Sequence, residues 1–383
     1  MKRHPVPASL HRETAKLIRL AVALQVSGSQ LESQSWQAQM RKHIAQMFQK
    51  KQNETLEQAL DYLWTENPLA CELLAQQIEN YAESITDTTD TDAVLIAIPL
   101  LAWSRYSIAS GQISKTRLRE LRTALSGYLL ADSARISLID VLFSPEQLPA
   151  GFIETRALLQ QMIPLAVANQ DMHFDVDKLL TAGDYVADVR YVFAAVVVDK
   201  DAPLFVWQQA EITQNEALQT WQLHTKDTMS ALLPGCHYQA QLPNAFFSAW
   251  RKLEYEARTF SLRAAVAYLC ESLEITPQNL RAVIAPFYDD VLEEYRIGFG
   301  LQKSNQVLHG VTWPLIGDES EETDMISQIE AELTDIGKIL VLTTAMPMEH
   351  CDDCGTPLFP NAESELIHPE MPEPSTPVPT HLH

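Results

Sequence analysis

Glycine is scarce in this chain, with 12 in 383 residues against 21 prolines, which excludes a collagen-like repeat and leaves little material for Gly-rich phosphate cradles. No G-x-x-x-x-G-K-[ST], G-x-S-x-G or H-E-x-x-H occurs, so the P-loop, α/β-hydrolase and zincin templates are unsupported. Gly298-Phe299-Gly300 lacks the third glycine of a dinucleotide fingerprint and reads as a bulge or close packing inside a strand. Cysteine is scarce too: five in so long a chain do not make a disulfide framework. Long apolar runs are missing, since none approaches the roughly 18 to 20 residues that span a bilayer. The longest, Ala93 to Trp103, contains Pro99. Lys2 and Arg3 precede an amphipathic segment broken by Glu13, Lys16 and Arg19, unlike the apolar stretch of a signal peptide. A cytoplasmic protein with no membrane partner is expected.

Positive charge is the remaining shortage. Lys and Arg number 28 against 50 Asp and Glu, a net charge of −22, and such a field repels phosphate backbones. The charge is uneven: Met1 to Lys51 holds nine basic and two acidic residues, net +7, leaving −29 for the rest. A basic head on an acidic body suggests attraction within one molecule, with Lys16, Arg19, Arg41 and Lys42 near carboxylates. Nucleic acid is the weaker alternative partner for that head.

A length of 383 residues exceeds the roughly 250 to 300 at which single cores stop growing, and 46% hydrophobic content marks a folded chain. Residues 1–92 read as helices. Ser9 suits a first cap, Ser27-Gly28-Ser29 is a break, Ser29 with Glu32 fits a capping box, and Pro68 opens a later helix. Residues 93–185 read as a mixed α/β middle region. There Val94 to Ile98 is a strand or buried helix, Lys115 to Leu130 a helix, and Arg135 to Phe143 a strand.

Residues 186–359 read as an α+β domain. Arg190 to Val198 and Pro203 to Trp207 suggest one hairpin, followed by a helix from Asn215 to Leu233. Glu294 to Leu301 and Val307 to Leu315 suggest a second, followed by a helix from Glu322 to Ile336 and a strand from Lys338 to Thr344. Helices between Asn244 and Leu273 and a strand at Leu280 to Phe287 separate the two. The expected class is α+β: a helical N-terminal part, then hairpin-helix units that suggest a duplication. Residues 360–383, with six prolines and no apolar periodicity, read as a flexible tail.

His350-Cys351-Asp352-Asp353-Cys354-Gly355 is the sharpest local motif. Two thiolates two residues apart can grip one Zn²⁺ from a tight turn that Gly355 permits, making a candidate structural zinc knuckle. A closed site needs four ligands, for which His350, His368, His381 and His383, or Cys236 and His237, are candidates. The competing readings are a metal-free turn and a redox pair. Against redox, Asp352 and Asp353 between the sulfurs should raise the thiol pKa values. His173, Asp175 and Asp177 alternate as weak metal ligands do, but more simply form a capped loop. Trp103, Arg105 and Tyr106, with Tyr295, Arg296 and Trp313, are candidates for a pocket or interface, against the plainer reading of half-buried packing.

Five segments carry a resemblance: Ser27 to Glu32, Pro99 to Tyr106, Phe143 to Pro149, Glu294 to Phe299, and Cys351 to Pro360. Together they resemble a family of uncharacterised betaproteobacterial proteins, domain-of-unknown-function family 2863, over nearly the whole chain. The resemblance implies a bacterial cytoplasmic protein and brings no activity, cofactor or catalytic residue. The resulting expectation is a non-catalytic protein that binds a partner or ligand. The alternative is an enzyme of unrecognised class using a pocket near Arg105, Tyr106, Arg296 and Trp313.

Overall fold

The computed structural model describes residues 10–372 except 87, 184 and 210; Ser9 and residues 373–383 lie outside the described residues. Four helices open the chain: α1 Arg12–Gln25, α2 Gln30–Gln49, α3 Asn53–Glu66 and α4 Pro68–Glu83. The starts of α2 and α4 follow the expected signals. Ser29 Oγ accepts from the Glu32 N–H at 3.2 Å, while Glu32 accepts from the Gly28 N–H at 3.1 Å. Asn67 caps α4 with Pro68 in its first turn, where a missing N–H costs nothing. His11 occupies the cap of α1. Leu17, Met40, Ile44, Leu56, Leu63, Leu74 and Ile78 meet in the bundle core.

The first sheet is built on β1, Thr91–Trp103, with α5 Lys115–Tyr128, β2 Arg135–Leu138, α6 Phe152–Val167, β3 Ala187–Asp199 and α7 Gln214–Leu232 around it. β3 runs antiparallel to β1 over its full length and to β2 on its other edge. Both long strands are covered on both faces. Leu95, Ala97, Phe193 and Ala195 face one core, whereas Ile96, Ile98, Val192 and Ala194 face a second with α5 and α7. This double burial is why Ala93 to Trp103 is a continuous apolar run. Pro99, which has no N–H to give, sits opposite the interruption between the short strands His237–Ala240 and Asn244–Ala245, where its carbonyl accepts from the Gln241 N–H at 3.0 Å.

The expected pairing of Arg190–Val198 with Pro203–Trp207 does not form. Both edges of β3 are already taken, so the second segment finds no ladder: Phe205 bridges Leu130 and Val206–Gln208 makes a 3₁₀ turn.

A single 28-residue helix, α8 Phe246–Leu273, leads to the second sheet, formed by β4 Leu280–Tyr288, β5 Leu292–Leu301, β6 His309–Pro314 and β7 Lys338–Val341. β4, β5 and β6 are antiparallel neighbours, as the second expected hairpin requires, and β7 joins β4 in parallel after α9 Met325–Glu332. Asp324 caps α9, which is shorter than the periodicity suggested. Phe246, Phe247, Ala249 and Leu253 of α8 belong to the first core, and Leu262, Ala265 and Leu269 to the core of the second sheet. The mixed α+β class therefore holds. The stretch expected as a tail is ordered at its start, where Phe359–Pro360 pairs with Leu366–Ile367.

The basic head does not dock on carboxylates as expected. Among the described residues Lys16, Arg19, Arg41 and Lys42 form no ion pair, and all four are exposed. Acidic residues of the body pair with basic residues of the body instead, as Glu319 does with Arg258, Glu79 with Arg251 and Asp92 with Lys200. No helix among the described residues is long and apolar enough to cross a membrane.

Candidate metal centre

Residues 349–358 fold as a ribbon whose tip is the C-x-x-C turn. His350 bridges Pro357, the Cys351 N–H donates to Thr356 O at 2.8 Å, and the Gly355 N–H donates to Cys351 O at 2.8 Å. Gly355 sits at φ +73°, a left-handed conformation that glycine enters without steric cost. The short hairpin Phe359–Pro360/Leu366–Ile367 then returns the chain, bringing His368 to the turn.

One ligand atom each from Cys351, Cys354 and His368 lies within 4.8 Å of the others. Cys354 Sγ and His368 Nε2 are 3.3 Å apart. Zinc bonds of about 2.3 Å to sulfur and 2.0 Å to nitrogen, at a tetrahedral angle, place such atoms about 3.5 Å apart. The spacing is therefore that of two corners of a zinc tetrahedron. Behind the imidazole, Glu370 Oε1 stands 3.8 Å from His368 Nδ1, a buried nitrogen with no hydrogen-bond partner. A carboxylate there is the usual outer support of a ligating histidine.

Hydrogen bonding from the Thr356 hydroxyl and N–H, then from His368, holds the Cys354 thiol down at about 6. The expectation that Asp352 and Asp353 would raise it is thus corrected, because both aspartates are exposed at the tip while the sulfur collects donors.

Of the four expected ligands, Cys351, Cys354 and His368 come together, and His350 does not join them. Strand alternation sets neighbours on opposite faces, and His350 is exposed. His381 and His383 lie outside the described residues. His173 instead contacts Asp140 at 2.7 Å, and Asp175 caps the turn Val176–Lys178.

The six expected pocket residues fall into two places. Trp103, Arg105 and Tyr106 line a surface groove of about 460 Å³ with His237 and Glu271, which sequence reasoning missed. His237 stacks on Trp103 at 4.5 Å, and Arg105 donates to Glu271 O at 3.2 Å. Tyr106 is 77% exposed, so this is an open aromatic patch.

Tyr295, Arg296 and Trp313 are instead buried in the second sheet. Trp313 packs under Arg258, whose guanidinium is 4.7 Å from its ring and paired through both Nη atoms with Glu319. Arg296 has a different task. Its Nη1 donates to Glu349 O at 2.6 Å and Leu358 O at 2.8 Å, its Nε to Glu294 at 2.6 Å, and it lies over Phe287. Arg296 thus clamps both legs of the cysteine ribbon.

Two glycines seat the same ribbon. A Cβ at Gly298 would run into Pro360 O, and one at Gly310 into the Phe359 ring. The expectation of close packing at Gly298 is met, and the Gly298/Gly310 cross-strand pair was the available signal for it.

A mixed α+β protein with a C-terminal Cys₂His cluster is the class that fold and geometry define. A model of the family described as "Protein of unknown function (DUF2863)" matches residues 2–382, and the chain belongs to that family. Comparison with curated proteins and with solved structures finds no match.

Proposed function

We propose that this is a bacterial cytoplasmic, non-catalytic binding protein whose C-terminal ribbon is held by a structural zinc ion. The observation that carries the proposal is the convergence of Cys351, Cys354 and His368 within 4.8 Å. The metal would join the turn to the His368 return strand, so its binding free energy would be folding free energy for the ribbon. Arg296 fixes the legs and Gly355 shapes the tip. The fourth position takes water or a further side chain. In the cytoplasm the five thiols stay reduced, consistent with the free state of all of them here.

The partner surface that fits this reading is the open patch of Trp103, Arg105, Tyr106 and His237, since interfaces favour aromatic residues and Arg. The test is elemental analysis of the full chain purified without chelator, beside Cys351→Ser/Cys354→Ser and His368→Ala variants. About one zinc per chain is expected in the parent and much less in the variants. Zinc near zero in the parent after growth with added zinc overturns the proposal.

A further inference from the structure

Between α2 and α4 runs a groove of about 530 Å³ that no ion pair closes. Ala38 and Ala45 keep its floor low, Gln34, Gln37, Gln77 and Asn80 supply amide groups, and Arg41 and Lys42 supply charge. No carboxylate is among its lining residues. At one end Tyr81 lies against Arg156, whose guanidinium is 3.9 Å from the ring centre. Arg156 is 8% exposed and spends its hydrogen bonds on the carbonyls of Tyr81 and Ser84, so its charge has no carboxylate among those partners. Glu79, on the same helix, is tied to Arg251. The groove is therefore an electropositive strip on a molecule that carries −22 overall.

We infer that this groove docks an acidic, extended peptide segment of a partner protein. Charge complementarity argues for an anionic occupant. Four carboxamides lining the groove suit one with a repeating backbone of N–H and C=O groups, because each amide both donates and accepts. Along α2 the lining runs from Gln34 to Ala45, eleven steps of 1.5 Å or about 16 Å, which an extended chain crosses in about five residues. A nucleic acid would bring its long phosphate backbone against the −29 of the chain beyond Lys51. A short acidic peptide spans only the groove beside Arg41 and Lys42.

The inference goes beyond the binding-protein reading by adding a second surface that shares no residue with the Trp103 patch, and it does not depend on zinc at Cys351. The probe is a fluorescein-labelled decapeptide of alternating Glu and Ser, read by anisotropy with the full chain at 50 and 300 mM salt. The arms are the parent, Arg41→Glu/Lys42→Glu, and Cys351→Ser/Cys354→Ser, each checked for parent-like helicity. Expected are saturable binding that weakens at the higher salt, at least a tenfold loss in the charge reversal, and no change in the cysteine variant. Absence of binding, or equal binding by the charge reversal, overturns the inference. Tighter binding of a ten-nucleotide oligo-dT than of the peptide overturns it in favour of nucleic acid. None of these outcomes alters the zinc content that tests the metal proposal.

Discussion

Arg296 donates to the carbonyl of Leu358 at 2.8 Å, and through that bond the middle strand of the second sheet holds a leg of the cysteine ribbon. The same nitrogen holds Glu349 on the other leg, so the guanidinium works as a fixed fork. A fully buried cation with two carbonyls, a carboxylate and an aromatic face around it is a site where each partner needs the others.

Arg296→Met is expected to destabilise the fold by about 3 to 5 kcal/mol, since it leaves the partly buried Glu294 and the carbonyls of Glu349 and Leu358 without their partner. Urea denaturation followed by circular dichroism measures this. Arg296→Lys keeps the charge but loses the fork, and an intermediate loss with weaker zinc retention is expected. Zinc retention equal to that of the parent would show that the clamp does not position the turn.

Gly310→Val should push Phe359 off the sheet, because any Cβ there meets its ring. Overpacking of this kind costs about 1 to 3 kcal/mol. Faster zinc loss to a chelating dye is expected, with far-ultraviolet circular dichroism close to that of the parent. A control at Gly28, where a Cβ meets nothing within 4 Å, should leave zinc loss unchanged.

Removing the metal should lower the melting temperature and adding zinc should restore it. At free zinc a hundredfold above Kd the stabilisation is about 2.7 kcal/mol. Differential scanning fluorimetry with and without chelator reads the shift, and Cys351→Ser/Cys354→Ser should show none.

Glu83 gives a pH dependence unrelated to the metal. Burial raises its carboxyl from 4.5 to about 7, against the hydrogen bond from the Phe247 N–H, with the neighbouring Glu79 charge raising it further. The folded chain therefore holds this proton more tightly than the unfolded chain. Its contribution to stability is complete below pH 4.5 and declines as pH rises through about 7. Glu83→Gln keeps an acceptor for Phe247 without the titration. Melts from pH 5 to 8 should show a smaller decline in that variant, and identical slopes would remove Glu83 as the cause.

Much of the helical bundle was legible because its signals are local: Ser29 with Glu32, and Pro68, announce helix starts within a few residues. The hairpin of β5 and β6 was legible for the same reason, through the turn at Lys303-Ser304-Asn305. The false hairpin after β3 shows the limit. The apolar run at 203–207 says that a strand is allowed, but occupancy of the edge of β3 is decided by β1 and β2, some 60 to 100 residues earlier.

The site divides similarly. Cys351 and Cys354 are neighbours in the chain, and His368 was in reach of the return strand. The role of Arg296 depends on partners 53 and 62 residues away, so the sequence shows an arginine beside a tyrosine and nothing of the clamp.

The 28-residue helix α8 enters two cores, with Phe247 and Leu253 in one and Leu262 and Leu269 in the other. Neither sheet can shed its share of that helix without exposing an apolar stripe on the half that remains. The two halves of the molecule thus share a spine, and a protease cut near its midpoint would leave two pieces that each lack a wall.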